Sequence, residues 1–151
     1  MQSMNIEKAG KEDHAALIDI WERSVRATHD FLSDEQIAAL RPLILNHYFD
    51  AVDLRITRQE DDEITGFVGV AGDQVEMLFV CPSHQRKGIG SLLMRHAIEH
   101  QGARRVDVNE QNPAAIGFYL HLGFVQMGRS EHDGQGNPFP LLHLRLASTT
   151  S

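Results

Sequence analysis

The stretch Gln85-Arg86-Lys87-Gly88-Ile89-Gly90-Ser91 joins an apolar strand pattern, residues 75–80, to an amphipathic helical pattern that opens at Ser91. Glycines at positions 88 and 90 carry no Cβ, so the backbone there can approach a ligand closely. The first amides of a helix lack intrahelical partners and sit at the positive end of its dipole. Such a strand-to-helix turn reads as an anion cradle, and a diphosphate suits it. Arg86 and Lys87 add neutralising charge at the rim. The competing reading is a glycine-rich turn with a structural role only.

Two other phosphate loops do not fit. A dinucleotide fingerprint needs Gly or Ala three residues after Gly90, where Leu93 stands, and an early parallel βαβ unit that the pattern lacks. A nucleotide P-loop ends in Gly-Lys-Ser/Thr, whereas Lys87 precedes Gly88.

Working outward, residues 4–9 read as a strand, and Leu17, Ile20, Trp21 and Ser24 recur at three- and four-residue intervals on one helix face. Ser33 and Gln36 form a capping-box pattern ahead of Ile37, Leu40 and Ile44, in a helix that Pro42 is expected to bend or split. Val52, Leu54 and Ile56 then alternate up to the acidic turn Glu60-Asp61-Asp62. Residues 64–71 and 75–80 read as neighbouring strands joined by the hairpin signal Gly72-Asp73. After the cradle, Ile89, Leu92, Leu93, Ala97 and Ile98 line a helix running to about Gln101, which Gly102 ends. Residues 104–109 form a strand. Asn112-Pro113 combines an N-cap with proline at the first helical position, and the helix runs through Leu122 to a stop at Gly123. Residues 125–130 and 141–146 supply the last two strands. The order β-α-α-β-β-β-α-β-α-β-β predicts one mixed α/β domain over residues 1–147, followed by a short polar tail, residues 148–151. Its sheet should be largely antiparallel.

The length of 151 residues suits a single domain with a real core. A formal net charge of -7 argues against nucleic acid as the main partner, because phosphate binding needs clustered Lys and Arg. No apolar run reaches the roughly 18 residues of a membrane span, and the polar start lacks the apolar segment of a secretion signal, so no membrane and a cytoplasmic setting are expected. The one cysteine, Cys81, cannot form an internal disulfide and reads as a packed or inert thiol. His96 and His100 have i,i+4 spacing but no third ligand, and Glu60-Asp61-Asp62-Glu63 reads as an exposed turn, so no metal is expected.

A second motif is Asn112-x-x-Ala115-x-x-x-Tyr119-x-x-x-Gly123-Phe124. Asn112 and Tyr119 stand about 10 Å apart along a helix, nearly two turns, and face similar directions. Each alone reads as structural, Asn112 as a cap and Tyr119 as packing.

Together the two segments resemble the Gcn5-related N-acetyltransferase (GNAT) superfamily. Its coenzyme A loop, Gln/Arg-x-x-Gly-x-Gly/Ala, is matched by Gln85, Gly88 and Gly90, and its later helix by Asn112, Ala115, Tyr119, Gly123 and Phe124. The resemblance covers nearly the whole chain, including a central, largely antiparallel sheet of about seven strands with about four helices. It is closer to the small bacterial YjaB-type acetyltransferases, through Ala27-Thr28-His29-Asp30-Phe31-Leu32, Val108-Asn109-Glu110-Gln111-Asn112 and Pro140-Leu141-Leu142.

The resemblance implies that acetyl-CoA lies between the fourth and fifth strands. Backbone groups at Leu78, Phe79 and Val80 would hold the pantetheine arm. Backbone amides across Arg86, Lys87, Gly88, Ile89, Gly90 and Ser91, beside Gln85, would hold the diphosphate, with Asn112 and Tyr119 also on the cofactor side. Acetyl transfer needs a neutral amine, a stabilised oxyanion and a proton for the departing sulfur. A lysine-like amine titrates near 10.4, so a base or a water chain is useful. Glu76, on the strand face of Leu78, is the leading base, with His29 and Glu110 as alternatives. An amide near Leu78 would receive the oxyanion, and Tyr119 would protonate the sulfur. Thr28, His29, Asp30, Glu110 and Phe139 are expected on the acceptor side. The implied protein, monomer or homodimer, transfers acetyl directly to a small primary amine or a peptide or protein lysine. A regulatory acyl-CoA-binding module with little chemistry is the alternative.

Overall fold

The computed structural model describes residues 5–28, 32–59, 62–84, 88–133 and 136–147. The tail at 148–151 lies outside them, as do the loop positions Gln85, Arg86 and Lys87 and the acceptor-side candidates His29 and Asp30. The chain packs as two compact units, Met1–Ala103 and Arg104–Ser151. Together their described residues hold seven strands and four α-helices in the predicted order.

The first unit contains β1 (Asn5–Lys8), α1 (His14–Thr28), α2 (Asp34–Leu43), β2 (Asp53–Arg58), β3 (Ile64–Ala71), β4 (Gln74–Val80) and α3 (Ile89–His100). Its strands form an antiparallel meander in which β2 pairs with β1 and β3, and β3 with β4. The β3–β4 hairpin turns at Gly72, whose φ of 62° is the left-handed conformation that a tight hairpin requires. On α1 the predicted face, Leu17, Ile20, Trp21 and Ser24, is buried as a whole. Leu17, Ile20 and Trp21 join Ile37, Phe49, Ile56 and Phe67 in one apolar cluster. Each such aliphatic or aromatic side chain contributes roughly 1.5–3 kcal/mol by leaving water.

The predicted capping box does open α2: Gln36 N–H donates to Ser33 Oγ at 3.1 Å and Ser33 N–H to Gln36 Oε1 at 2.8 Å. Pro42 stands one residue before the end of α2 at Leu43, where the α-helix gives way to a π-helical turn, Ile44–Tyr48. Proline has no N–H for the helix ladder, which suits a position in the last turn. One local expectation needs correction: α3 starts at Ile89 rather than Ser91. Gly88 already provides the turn, so Ile89 and Gly90 enter the first helical turn.

The second unit contains β5 (Arg105–Asn109), α4 (Pro113–His121), β6 (Phe124–Ser130) and β7 (Leu141–Leu146). The last strand in sequence is central, pairing antiparallel with β5 on one side and β6 on the other. Val106, Val108, Phe124, Leu142 and Leu144 are buried, as strand alternation requires of one sheet face. Asn112 caps α4 and Pro113 follows it, while Gly123, at φ 103°, stops the chain from continuing as helix.

Candidate active site

The cradle is built on the head of α3. Gly88 is its N-cap at φ 80° and ψ 6°, and its carbonyl accepts the first helical bond, from Leu92 N–H at 3.0 Å. The amides of Ile89, Gly90 and Ser91 therefore precede that first bond, at the positive end of the helix. Among the described residues a Cβ on Gly88 would meet nothing within 4 Å, and its φ of 80° is a backbone conformation that side chains other than glycine's rarely adopt. Gly66 on β3 serves differently. A Cβ there would come within 3.1 Å of Ile89 Cγ2 and 3.2 Å of Leu93 Cδ1, so its absence lets the first turn of α3 lie close on the sheet.

Upstream of the cradle, β4 carries a bulge. Val75 pairs with Val70 and Met77 with Gly69, which leaves Glu76 as the extra residue. Bulges bend a strand and re-aim a side chain. Val75 and Met77 are buried, Glu76 is exposed and Leu78 half-buried. Because Val75 stands opposite Val70 and Leu78 opposite Val68, the extra residue breaks the two-residue alternation between Glu76 and Leu78 that the sequence predicts. At the strand's end, Ser24 Oγ of α1 donates to the Val80 carbonyl at 2.9 Å. That bond occupies one lone pair of a carbonyl expected to face the pantetheine arm. Cys81 follows, buried, with its N–H donating to the Thr65 carbonyl at 2.8 Å and its sulfur 3.3 Å from Ser83 Oγ.

Thr28 ends α1, next to the acceptor-side candidates. The flanking helices are tied by charge: Arg41 of α2 donates to Asp19 and to Glu22 of α1, both at 2.7 Å. Hydrogen bonds from Arg26 and Arg41 hold the Glu22 carboxyl below its ordinary range.

In the second unit, Tyr119 is buried on α4, with its ring edge-on to Phe118 and Phe124 at centroid distances of 5.0 and 5.7 Å. Burial pushes its phenol well above the ordinary tyrosine value, since the phenolate would lose its hydration. Asn112 Oδ1 accepts the Ala115 N–H at 3.3 Å, so this oxygen serves the helix cap. Glu110 is gripped by Arg129 through two bonds, of 2.5 and 3.2 Å, and the first of these lowers the carboxyl's pKa. A carboxylate so held is a weak base, which counts against Glu110 as the alternative proton acceptor. Phe139 is half-buried in the loop before β7, its N–H donating to the Asn137 carbonyl at 2.8 Å.

Three contributors escape the sequence patterns. Ser24 reads as a helix-face residue, but its bond to Val80 spans 56 positions. Arg129 gives no signal of its pairing, and Gly66 reads as an ordinary strand glycine. Only the polar residue on an otherwise apolar α1 face could have drawn attention to Ser24.

Residues 54–126 match the model of the acetyltransferase (GNAT) domain. The chain is 40% identical over 141 residues to the peptidyl-lysine N-acetyltransferase YjaB of Salmonella typhimurium, covering 93% of this chain and 97% of that protein. Its fold matches the solution structure of apo-form YjaB from Escherichia coli with a TM-score of 0.87 at 38% identity, over 97% of this chain and 99% of that one. The fold also matches the PaiA N-acetyltransferase of Thermoplasma acidophilum in complex with coenzyme A, with a TM-score of 0.72 at 21% identity, over 95% and 99% of the two chains.

Proposed function

This chain belongs to the GNAT acetyltransferase family, and we propose that it is an N-acetyltransferase acting on a peptide or protein lysine through direct transfer from acetyl-CoA. The observation that carries the donor is the head of α3: a left-handed Gly88 followed by three amides ahead of the first helical bond. Backbone donors at a helix N-terminus bind phosphate without needing a side chain, so these residues fit a diphosphate. Lysine as acceptor rests on the 40% identity to a peptidyl-lysine N-acetyltransferase. The acidic net charge of -7 is compatible with a cationic substrate.

When bound, acetyl-CoA supplies an acetyl thioester whose carbonyl oxygen and then sulfur gain negative charge as the amine attacks. On this reading amides beside Leu78 on the bulged β4 segment serve the oxygen, and Gln85, Arg86 and Lys87, which the family's loop pattern assigns to the diphosphate, lie outside the described residues. Leu78, Phe79 and Val80 line the donor's path with backbone groups. Glu76, exposed at the bulge, takes the amine proton directly or through water. Tyr119 holds a proton at its Oη. Because burial makes the phenol a weaker acid, its part is to donate a hydrogen bond to the developing thiolate, with full proton transfer completed as solvent protons are exchanged. The family resemblance assigns Thr28, His29, Asp30 and Phe139 to the acceptor side, His29 and Asp30 lying outside the described residues.

The test is incubation with radiolabelled acetyl-CoA and a mixed library of lysine peptides and small amines. Label on a lysine side chain is the expected result. Retained acetyl-CoA binding with no amine-dependent transfer would instead support a binding module, and label on small amines alone would replace the lysine assignment.

A further inference from the structure

The exposed face of the second unit's sheet carries a hydrogen-bonded Asp-His-Ser relay that the acetyl-transfer reading does not use. Asp107 of β5 stands directly across from His143 of β7, and Asp107 Oδ1 lies 2.7 Å from His143 Nδ1. On its other side, His143 Nε2 lies 2.6 Å from Ser130 Oγ of β6. With the carboxylate facing Nδ1, the tautomer that carries its proton there leaves the Nε2 lone pair to accept the serine hydroxyl. This is the order of contacts that turns a serine into a nucleophile.

The site is open and separate from Tyr119. Buried Val106, Val108, Leu142 and Leu144 alternate with Asp107 and His143, and Tyr119 packs on Phe124 among the buried set. Alternation therefore places the relay on the opposite face of this sheet. The side chains of His143 and Asp107 are 38% and 34% exposed. Gly128 faces His143 across the ladder, and a Cβ there would sit 3.6 Å from the ring, so glycine leaves the imidazole uncovered. Beside it β6 bulges at Met127, which is 69% exposed. The bulge takes Met127 out of the ladder beside Gly128.

We propose that Ser130, His143 and Asp107 form a second acyl-transfer site, one that hydrolyses small activated acyl esters or thioesters. Ser130 Oγ bonds to the acyl carbon while its proton passes to His143 Nε2. The carbon–oxygen or carbon–sulfur bond to the leaving group then breaks, and that group takes the proton. Water next attacks the acyl-serine, giving a proton to Nε2, and Ser130 leaves with it. The sum is one ester and one water converted to one acid and one alcohol or thiol.

The full-length protein is treated with a fluorophosphonate probe and, separately, with p-nitrophenyl acetate, and the modified residue is mapped by mass spectrometry. A single adduct on Ser130 is expected. It should vanish in Ser130→Ala and form at least about tenfold more slowly in His143→Ala and Asp107→Asn, since each removes one member of the relay. Unchanged acetyl-CoA binding in Ser130→Ala serves as the folding control, and a Ser130→Cys variant should be alkylated by iodoacetamide faster with His143 than without it. No adduct on the unaltered protein would overturn the proposal. Equal labelling of other serines, or an acylation rate indifferent to His143, would also overturn it and leave the relay as a cross-strand brace.

Discussion

Replacing Tyr119 by Phe removes one oxygen from a buried ring and leaves the edge-on contacts to Phe118 and Phe124, at 5.0 and 5.7 Å, in place. The loss in stability should stay within about 1 kcal/mol, or roughly 2–4 °C in melting temperature for a chain of this size. Loss of a hydrogen bond to the departing sulfur should be far larger in rate, about 10²–10³-fold, corresponding to roughly 2.7–4 kcal/mol of transition-state stabilisation. Acetyl-CoA affinity should barely move, because the hydroxyl acts on charge that exists only during the reaction. Single-turnover acetyl transfer, read by thiol release, separates chemistry from product release. Turnover of the variant within twofold of the parent, with chemistry rate-limiting, would falsify the assignment. Stability at high pH gives a second measure. The folded phenol titrates above its unfolded value of about 10, so its contribution is complete below pH 10 and is lost as pH rises through the folded value. The Phe variant should lack that alkaline loss.

Three further substitutions test the parts around it. Gly88→Val forces a β-branched residue to φ 80° at the helix head, and acetyl-CoA binding by calorimetry should weaken at least about tenfold; unchanged affinity in a folded variant would count against the cradle. Glu76→Gln should slow transfer about 10²-fold and abolish the acid limb of the pH–rate profile, whereas an unaltered rate and profile would remove it as the base. Ser24→Ala leaves the Val80 carbonyl without its 2.9 Å partner, and a denaturant titration should show a loss of about 1–2 kcal/mol.

Much of the fold was legible because its signals are local. The capping box of Ser33 and Gln36, the Asn112-Pro113 helix start and the stops at Gly102 and Gly123 each depend on residues a few positions apart, and each stands where the pattern put it. The head of α3 was misplaced by two residues, because a glycine in the first turn looks like loop in sequence although the helix tolerates it there. Pro42 marks the neighbourhood where α2 ends but not the π-helical turn after it, which the packing of the following segment, with Ile44 and Phe49 buried, determines. Of the candidate site, the sequence named the cradle glycines and Tyr119 but not the state of the groups around them. That Glu110 is held by Arg129 depends on a contact 19 positions away.

By itself, then, the sequence determined the order and type of elements, the α1 core face and the glycine conformation that opens α3, since helical period, strand alternation and missing Cβ atoms act within a turn or two of the chain. Only the tertiary structure decided that β7 lies between β5 and β6, that β4 bulges at Glu76, that Ser24 reaches Val80, and that Asp107, His143 and Ser130 meet. These are consequences of strand register and packing. A one-residue slip in a ladder would turn every such side chain to the other face, so nothing short of the assembled sheet selects them.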